Sequence, residues 1–247
     1  MTPSQIDRYA RHIVLKEIGG PGQNKLLAAK IAIIGAGGLG GPAALYLAAA
    51  GIGQITLIDH DDIDLSNLQR QIQFSTSDIG SSKTQILANK LVAINPDCIV
   101  KAQNTYLDAG NAHELLSGHD LILDGTDNFA TRFLVNQASL EQAVPLLSGA
   151  IGQFNGQIAF FNTDKDAPCY QCFVPDAPPN VQTCSQLGVV GALTGIIGSM
   201  MALEAIKHLT QTGQPLHNSL LLYDGLTATS RKIMLSKDPQ CRICGRE

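Results

Sequence analysis

Charged residues are scarce in this sequence, 15% of 247, and their balance is slightly acidic at −4. No basic stripe is present to displace the counterions of a phosphate backbone, so a general affinity for nucleic acid is excluded. The N-terminus lacks the apolar core of a secretion signal, and a cytoplasmic protein is expected. Leu187 to Leu203 runs for 17 residues without a charge, whereas a membrane span needs about 20. Glu204 and Lys207 end that run, and Gly188, Gly191, Gly195 and Gly198 space it for a buried helix or a subunit contact. No repeat, low-complexity segment or interdomain linker is present. What the chain has in quantity is glycine, 24 residues, together with alanine. That composition suits a compact α/β fold around a buried parallel sheet.

The most informative stretch is Ile31 to Gly41, I-A-I-I-G-A-G-G-L-G-G. Four apolar residues predict a short buried strand, and Gly35, Gly37 and Gly40 then spell G-x-G-x-x-G, with Gly38 between them. The run Pro42 to Ala50 follows as a helix of small side chains. In that setting the first glycine permits the tight turn and the second lets backbone N–H groups approach a phosphate. The third lets the helix lie close to the sheet with its positive end toward the ligand. A second strand, Gln54 to His60, carries Asp59, 19 residues beyond Gly40, where an acid that holds a ribose belongs. A nucleotide site is therefore expected; the motif alone does not say which nucleotide.

The segments around this unit are read in order. Thr2-Pro3 caps an N-terminal helix on which Ile6, Tyr9, Ala10, Ile13 and Val14 recur at helical spacing. Arg8 and Arg11, three apart, form either a solvated polar face or something more specific. Gly19 to Asn24 reads as a linker. After Asp59 a polar loop offers Asn67, Gln69, Arg70 and Gln71, where a dinucleotide-binding unit would run into its next helix. That helix starts near Ser82-Lys83-Thr84 and stops at Asn95-Pro96. A lysine at its first turn opposes the helix dipole at a cost of about a few tenths of a kcal/mol, so Lys83 is either a plain surface residue or the partner of an anion. Cys98 to Ala102 is a strand, Ala109 to Leu116 a short helix, and Leu121 to Asp124 the fourth strand. Asp127 beyond it lies where ligands bind in such sheets and can hold magnesium alongside phosphate oxygens; Asp124 is equally a turn residue.

From Pro145 the pattern changes to strand, Asn-Gly turn, strand, an antiparallel hairpin. A second hairpin, Ser219 to Asp224 and Thr229 to Ser236, leads to the tail. Six cysteines include two C-x-x-C pairs, Cys169/Cys172 and Cys241/Cys244. Four thiolates with no histidine or carboxylate close a tetrahedral zinc site and make it structural; a redox dithiol is the alternative. The 68 residues between the pairs are long for a zinc ribbon, but loop-closure entropy grows only logarithmically. Cys184, on a proline-rich loop, is inert or a nucleophile, and no nearby histidine lowers its pKa. The six histidines show no metal or triad spacing.

Taken together, these residues resemble one family, the ThiF/MoeB/HesA adenylyltransferases related to the ubiquitin-activating enzymes. The matching stretches run from R-Y-A-R-H-I to C-R-I-C-G by way of G-A-G-G-L-G, D-L-S-N-L-Q-R-Q, G-x-x-K, D-G-T-D-N and C-Y-Q-C. Gly125 departs from the usual D-C-T-D-N without removing a ligand. The resemblance implies a single adenylyltransferase domain over 1–247: a helical arm (1–24), a Rossmann-like ATP-binding half (30–145) with a parallel sheet, and a carrier-binding and zinc half (146–247) whose antiparallel strands extend it. It implies that ATP and magnesium are used to adenylylate the C-terminal Gly-Gly carboxylate of a ubiquitin-like sulfur carrier. Asp59 would hold the ribose, with Gly37 and Gly40 beneath the nucleotide. Asn67, Arg70 and Lys83 would contact phosphates, Asp127 would hold magnesium, and Arg11 would reach into the other subunit's site of a homodimer. Cys184 would link covalently to the carrier. No rhodanese-like stretch is present, so sulfur is expected from a separate donor such as a cysteine desulfurase. Several stretches look nearer the thiamine-pathway enzymes than the molybdopterin ones. The rival readings are an NAD-dependent oxidoreductase, a non-catalytic nucleotide-binding partner, and an activator of a small peptide or RNA.

Overall fold

The computed structural model describes residues 1–178 and 188–245. Its framework is one eight-stranded sheet in the order β3-β2-β1-β4-β5-β6-β7-β8. The strands are β1 (Lys30–Ile34), β2 (Gln54–Ile58), β3 (Ile99–Gln103), β4 (Leu121–Asp124), β5 (Leu146–Gly152), β6 (Asn155–Phe161), β7 (Ser219–Asp224) and β8 (Thr229–Met234). The first five run parallel, with Ile31 beside Ile55 on one flank and Leu121 on the other. From β5 onward each strand is antiparallel to the one before it. The expected parallel sheet with an antiparallel extension is thus what the chain forms. Strand order reverses between β1 and β4, and in such sheets ligands bind beyond the strand ends at that point.

Alternation along β1 assigns its two faces. Ile31 and Ile33 point to one core, and Ala32 and Ile34 to the other. The first core is covered by α3 (Gly19–Ala28), α4 (Gly40–Ala50), α5 (Lys83–Ile94) and α9 (Gly191–Thr210). The second lies under α6 (Ala112–Leu116), α7 (Phe129–Glu141) and α8 (Tyr170–Phe173). Helix α4 is buried nearly all round because its small side chains admit neighbours on every side. Among the described residues no helix is long and apolar enough to cross a membrane. Helix α9 carries the charge-free stretch from Gly191 onward and continues through Glu204 and Lys207, which pair at 2.7 Å.

Several expectations need correction. The N-terminal helix is two pieces, α1 (Pro3–Arg8) and α2 (Ala10–Ile13), parted at Tyr9. Arg8 donates to the Ile94 carbonyl while Arg11 stays exposed, so the two do not share a helix face. Gly19 to Asn24 is not a linker, and the helical arm does not end at Asn24: both fall within α3, which continues to Ala28. Packing overrides composition there: a side chain at Gly22 would meet Ile18 and Thr210, and buried Gln23 donates to the Ala50 carbonyl. The first long hairpin turns at Gln153 and Phe154, with Gln153 at a φ of 48°, and Asn155-Gly156 lies inside β6. Helix α7, capped by Asn128 accepting from the Thr131 N–H, was not anticipated.

Candidate nucleotide cleft and thiolate cluster

A cleft of ≈ 420 Å³ opens beyond the ends of β1, β2 and β4. Gly35, Gly37, Gly38, Asp59, Arg70, Lys83 and Asp127 all contribute to its walls, so residues spread over more than ninety positions converge as expected. Gly35 takes a φ of 87°, which gives the turn its shape. Gly40 lies beneath the turn rather than on the cleft wall. A Cβ there would sit 1.9 Å from the Gly35 carbonyl oxygen, so only glycine allows α4 to begin so close. The N-terminal N–H groups of α4 therefore face the cleft with the positive end of an 11-residue helix.

Asp59 follows β2 and is held by the backbone. Its Oδ2 accepts the Ala36 N–H at 2.8 Å and its Oδ1 accepts the Asp61 N–H at 2.9 Å. Burial pushes its carboxyl above the usual carboxylate range, against the pull of those donors and of Lys83. The Lys83 side chain is only 6% exposed and its Nζ lies 2.6 Å from Asp61 Oδ2. It is therefore not a plain surface lysine: Asp61 offsets the dipole penalty, and the ammonium stays on the cleft wall. Ser82 caps α5 and fixes that position.

Arg70 lines the cleft with its Nη1 donating to the Ser66 carbonyl at 2.9 Å, and Thr194 of α9 donates to the Arg70 carbonyl at 2.9 Å. Asn67 is not on the wall. It closes the short turn that precedes Arg70, accepting the Asp64 N–H through Oδ1. Asp127 is exposed at the rim, with no hydrogen-bond or ion-pair partner among the described residues. Asp124 proves to be the turn residue: fully buried, it accepts from the Thr126 N–H and hydroxyl and from Ser148. Arg11 lies on α2, outside the cleft walls. Cys184 lies outside the described residues.

Sequence reading missed Arg132. It is buried in α7 and donates to Ser148 Oγ at 3.0 Å, to the Gly149 carbonyl at 2.8 Å and to the Thr126 carbonyl. It ties the loop bearing Asp127 to β5. No motif marked it, since only the helix that sequence reading overlooked brings it there. At β5 the cleft shares Ala150, Ile151 and Gln157 with a second groove of ≈ 570 Å³, which runs over β5 to β8 along Asn155, Leu222, Tyr223 and Arg231.

The four C-x-x-C cysteines also meet. Sγ separations are 3.7 Å for Cys169 and Cys241, 4.0 Å for Cys169 and Cys172, and 3.3 Å for Cys172 and Cys244. A tetrahedral zinc with sulfur at about 2.3 Å has edges of about 3.8 Å, so the donor set fits that ion. All four ligand atoms lie within 4.8 Å of one another. The cluster pins the tail to α8.

Fold and site together define a doubly wound α/β protein with a glycine-loop cleft at its switch point and a four-cysteine cluster whose geometry fits a zinc ion. Within that class the chain belongs to the ThiF family, which its residues 9–243 match, and it is an adenylyltransferase. It is 42% identical over 252 residues to the sulfur carrier protein adenylyltransferase of Thermus thermophilus, covering 100% of this chain and 93% of that protein. It is 40% identical to the SAMP-activating enzyme E1 of Haloferax volcanii over 98% of this chain and 90% of that one. With the probable adenylyltransferase/sulfurtransferase MoeZ of Mycobacterium tuberculosis it shares 43% over 97% of this chain but 62% of that longer protein. The crystal structure of E. coli MccB shares the fold, with a TM-score of 0.85 at 23% identity over 97% of this chain and 72% of that one.

Proposed function

We propose that the protein transfers the adenylyl group of ATP to the C-terminal Gly-Gly carboxylate of a ubiquitin-like sulfur carrier, releasing pyrophosphate. The observation that carries this reading is the junction at Ala150, Ile151 and Gln157, where a groove along the antiparallel strands opens into the glycine-loop cleft. A carrier body lying on the sheet would feed an extended tail through that junction to the nucleotide. The name of its Thermus relative, sulfur carrier protein adenylyltransferase, supports the same substrate class. A hydride-transfer reading leaves Arg70, Lys83 and Asp127 together in the cleft unexplained. A non-catalytic partner would be expected to lack them.

The attacking carboxylate is already ionised at neutral pH, so no general base is required. The chemical work is to align two anions and neutralise charge on the phosphates. Asp59 would accept the ribose hydroxyls, and the glycine loop would place its N–H groups under the phosphates. Lys83 would leave Asp61 for a phosphate oxygen, and Arg70 would turn from the Ser66 carbonyl to do the same, while Asn67 would hold that turn or reach a phosphate itself. Asp127, unpartnered at the rim, would hold magnesium, which offsets charge on the phosphates. Zinc held by the four thiolates would be structural, with no position left for water.

The reading extends to the assembly. Arg11 would serve the site of a second copy in a homodimer, and exposed Ile6, Val14 and Leu15 on the same arm give that copy an apolar strip to cover. After adenylylation the Cys184 thiolate would attack the acyl-adenylate carbonyl and expel AMP, leaving the carrier joined as a thioester, and sulfur would be supplied by a separate donor such as a cysteine desulfurase. The preferred carrier is that of thiamine thiazole synthesis, with the molybdopterin carrier as the alternative. The deciding experiment is magnesium-dependent ATP–pyrophosphate exchange with each small Gly-Gly carrier added separately. Stimulation by one carrier establishes the activity and names its branch. Silence with every carrier, despite ATP binding, points to another peptide; silence without ATP binding overturns the reading.

A further inference from the structure

We propose that Gln71 reads the substrate tail: its side-chain carbonyl accepts the N–H of the last peptide bond of the carboxylate-bearing chain. The proposal rests on the adenylylation reading above. Gln71 is 4% exposed, yet it forms part of the cleft wall. Its own N–H is held by the Asn67 carbonyl at 2.9 Å, which fixes the backbone beneath the side chain. Its Oε1 is buried with no hydrogen-bond partner among the described residues. A buried carbonyl left in that state forgoes a hydrogen bond, so it needs a donor from outside.

Gln73, two residues on, shows the contrast. Its Oε1 is equally unpartnered, but its Nε2 donates to the Ala36 and Gly37 carbonyls at 3.0 Å each, and it is absent from the cleft wall. Gln73 clamps the glycine loop from below. Gln71 has no such bond and lies against Gly37, where a Cβ would be 3.2 Å from its Nε2.

The identity of the donor follows from chemistry. Phosphates and a carboxylate bring only acceptors to the glycine loop. The donors of the nucleotide, its ribose hydroxyls and base amine, belong on the Asp59 side. A tail entering from the second groove passes Ala150, next to Gly149, whose Cβ position is 3.3 Å from Leu39 of the glycine loop. It therefore reaches the loop on the β5 side with its peptide N–H as the available donor. Gln71 then distinguishes a peptidyl carboxylate from a simple one.

The test compares two full-length carriers made by ligation, one with the native final amide and one with an ester in its place, which lacks the N–H. In pyrophosphate exchange the wild-type enzyme should prefer the amide by about 5- to 30-fold in kcat/KM. Gln71→Met should lose about the same factor with the amide carrier, show no preference between the two, and keep its KM for ATP. Gln71→Asn, too short to reach, provides the same comparison if the methionine variant folds poorly. Undiminished preference in both variants overturns the proposal, as does a loss confined to the KM for ATP, which would make Gln71 a phosphate contact. Absence of exchange by the wild-type enzyme with the amide carrier is a different failure, since it removes the adenylylation reading itself.

Discussion

At the residue scale the cleft separates groups already committed to protein partners from groups that are free. Lys83 and Arg70 are held by Asp61 and by the Ser66 carbonyl. Exchanging those bonds for phosphate contacts strengthens binding less than new bonds would, and it leaves neither cation unpaired in the empty cleft. Asp127 has no such partner to give up. If its carboxylate holds magnesium against the phosphates, Asp127→Ala should lower adenylate formation by at least about 10³-fold, roughly 4 kcal/mol of lost transition-state stabilisation. The fold should be unaffected, because the side chain is exposed and unbonded. Single-turnover formation of the acyl-adenylate, followed alongside the melting curve, checks this; retained turnover with normal melting would remove Asp127 from the site. Arg132 marks the other end of the range. Three of its donor bonds and the Asp124 carboxylate 3.8 Å away hold it in place, so its role is to position the Asp127 loop.

At the scale of elements, two features tie distant parts of the chain together, and each predicts a measurable consequence. The thiolate cluster joins α8 to the tail across 68 residues. Cys172→Ser should release zinc and lower Tm by roughly 6 to 12 °C, the equivalent of about 3 kcal/mol for a chain of this size. Unchanged metal content and melting would refute the site. The second feature joins α9 to the segment before β7: His208 and His217 share a hydrogen bond of 2.9 Å and both rings pack on Phe160. Burial, then the neighbouring His217, holds His208 down at about 4, and burial also lowers His217. An unfolded histidine titrates near 6.5, so between those values the unfolded chain binds protons that the folded one refuses. The pair's contribution is complete above about pH 6.5 and is lost as pH falls toward 4. His208→Gln should therefore melt lower at pH 7.5 but lose less Tm between pH 6.5 and 4.5 than the wild type; equal slopes would show that the pair carries no such linkage. How much of this was legible in the sequence also depends on the element. The β1 turn and α4 were legible because local glycine geometry and apolar runs decide them. Helix α3 and the hairpin turn at Gln153 were not, because burial of Gly22 and Gln23 and the register against β5 outweigh local turn preferences. The histidine pair was invisible for the same reason: nine residues apart in sequence, it meets only when α9 is laid on the sheet.

At the scale of the whole molecule, the relation that matters is between the cleft and the arm that carries Arg11. The arm is fastened to its own subunit at several points. Asn95 donates to the Tyr9 hydroxyl at 2.9 Å, Arg8 donates to the Ile94 carbonyl, and His12 shares a bond with buried Gln23. These contacts hold Arg11 away from its own cleft and leave it exposed. Arg11 is therefore expected to act on a neighbour, and complementation tests this against action within its own subunit. Arg11→Ala and Asp127→Ala should each be inactive alone. In a mixed dimer the Arg11→Ala subunit keeps its own Asp127 and receives an intact arginine from its partner, so one of the two sites is restored. Random exchange of equal amounts makes half the dimers mixed, and about a quarter of the wild-type exchange activity should return. Were the arginine to act within its own subunit, no pairing would bring both groups to one site and activity would stay at the level of the single variants. Recovery that rises with time as subunits exchange, and is abolished by crosslinking each variant beforehand, would fix the arm as part of the partner's active site.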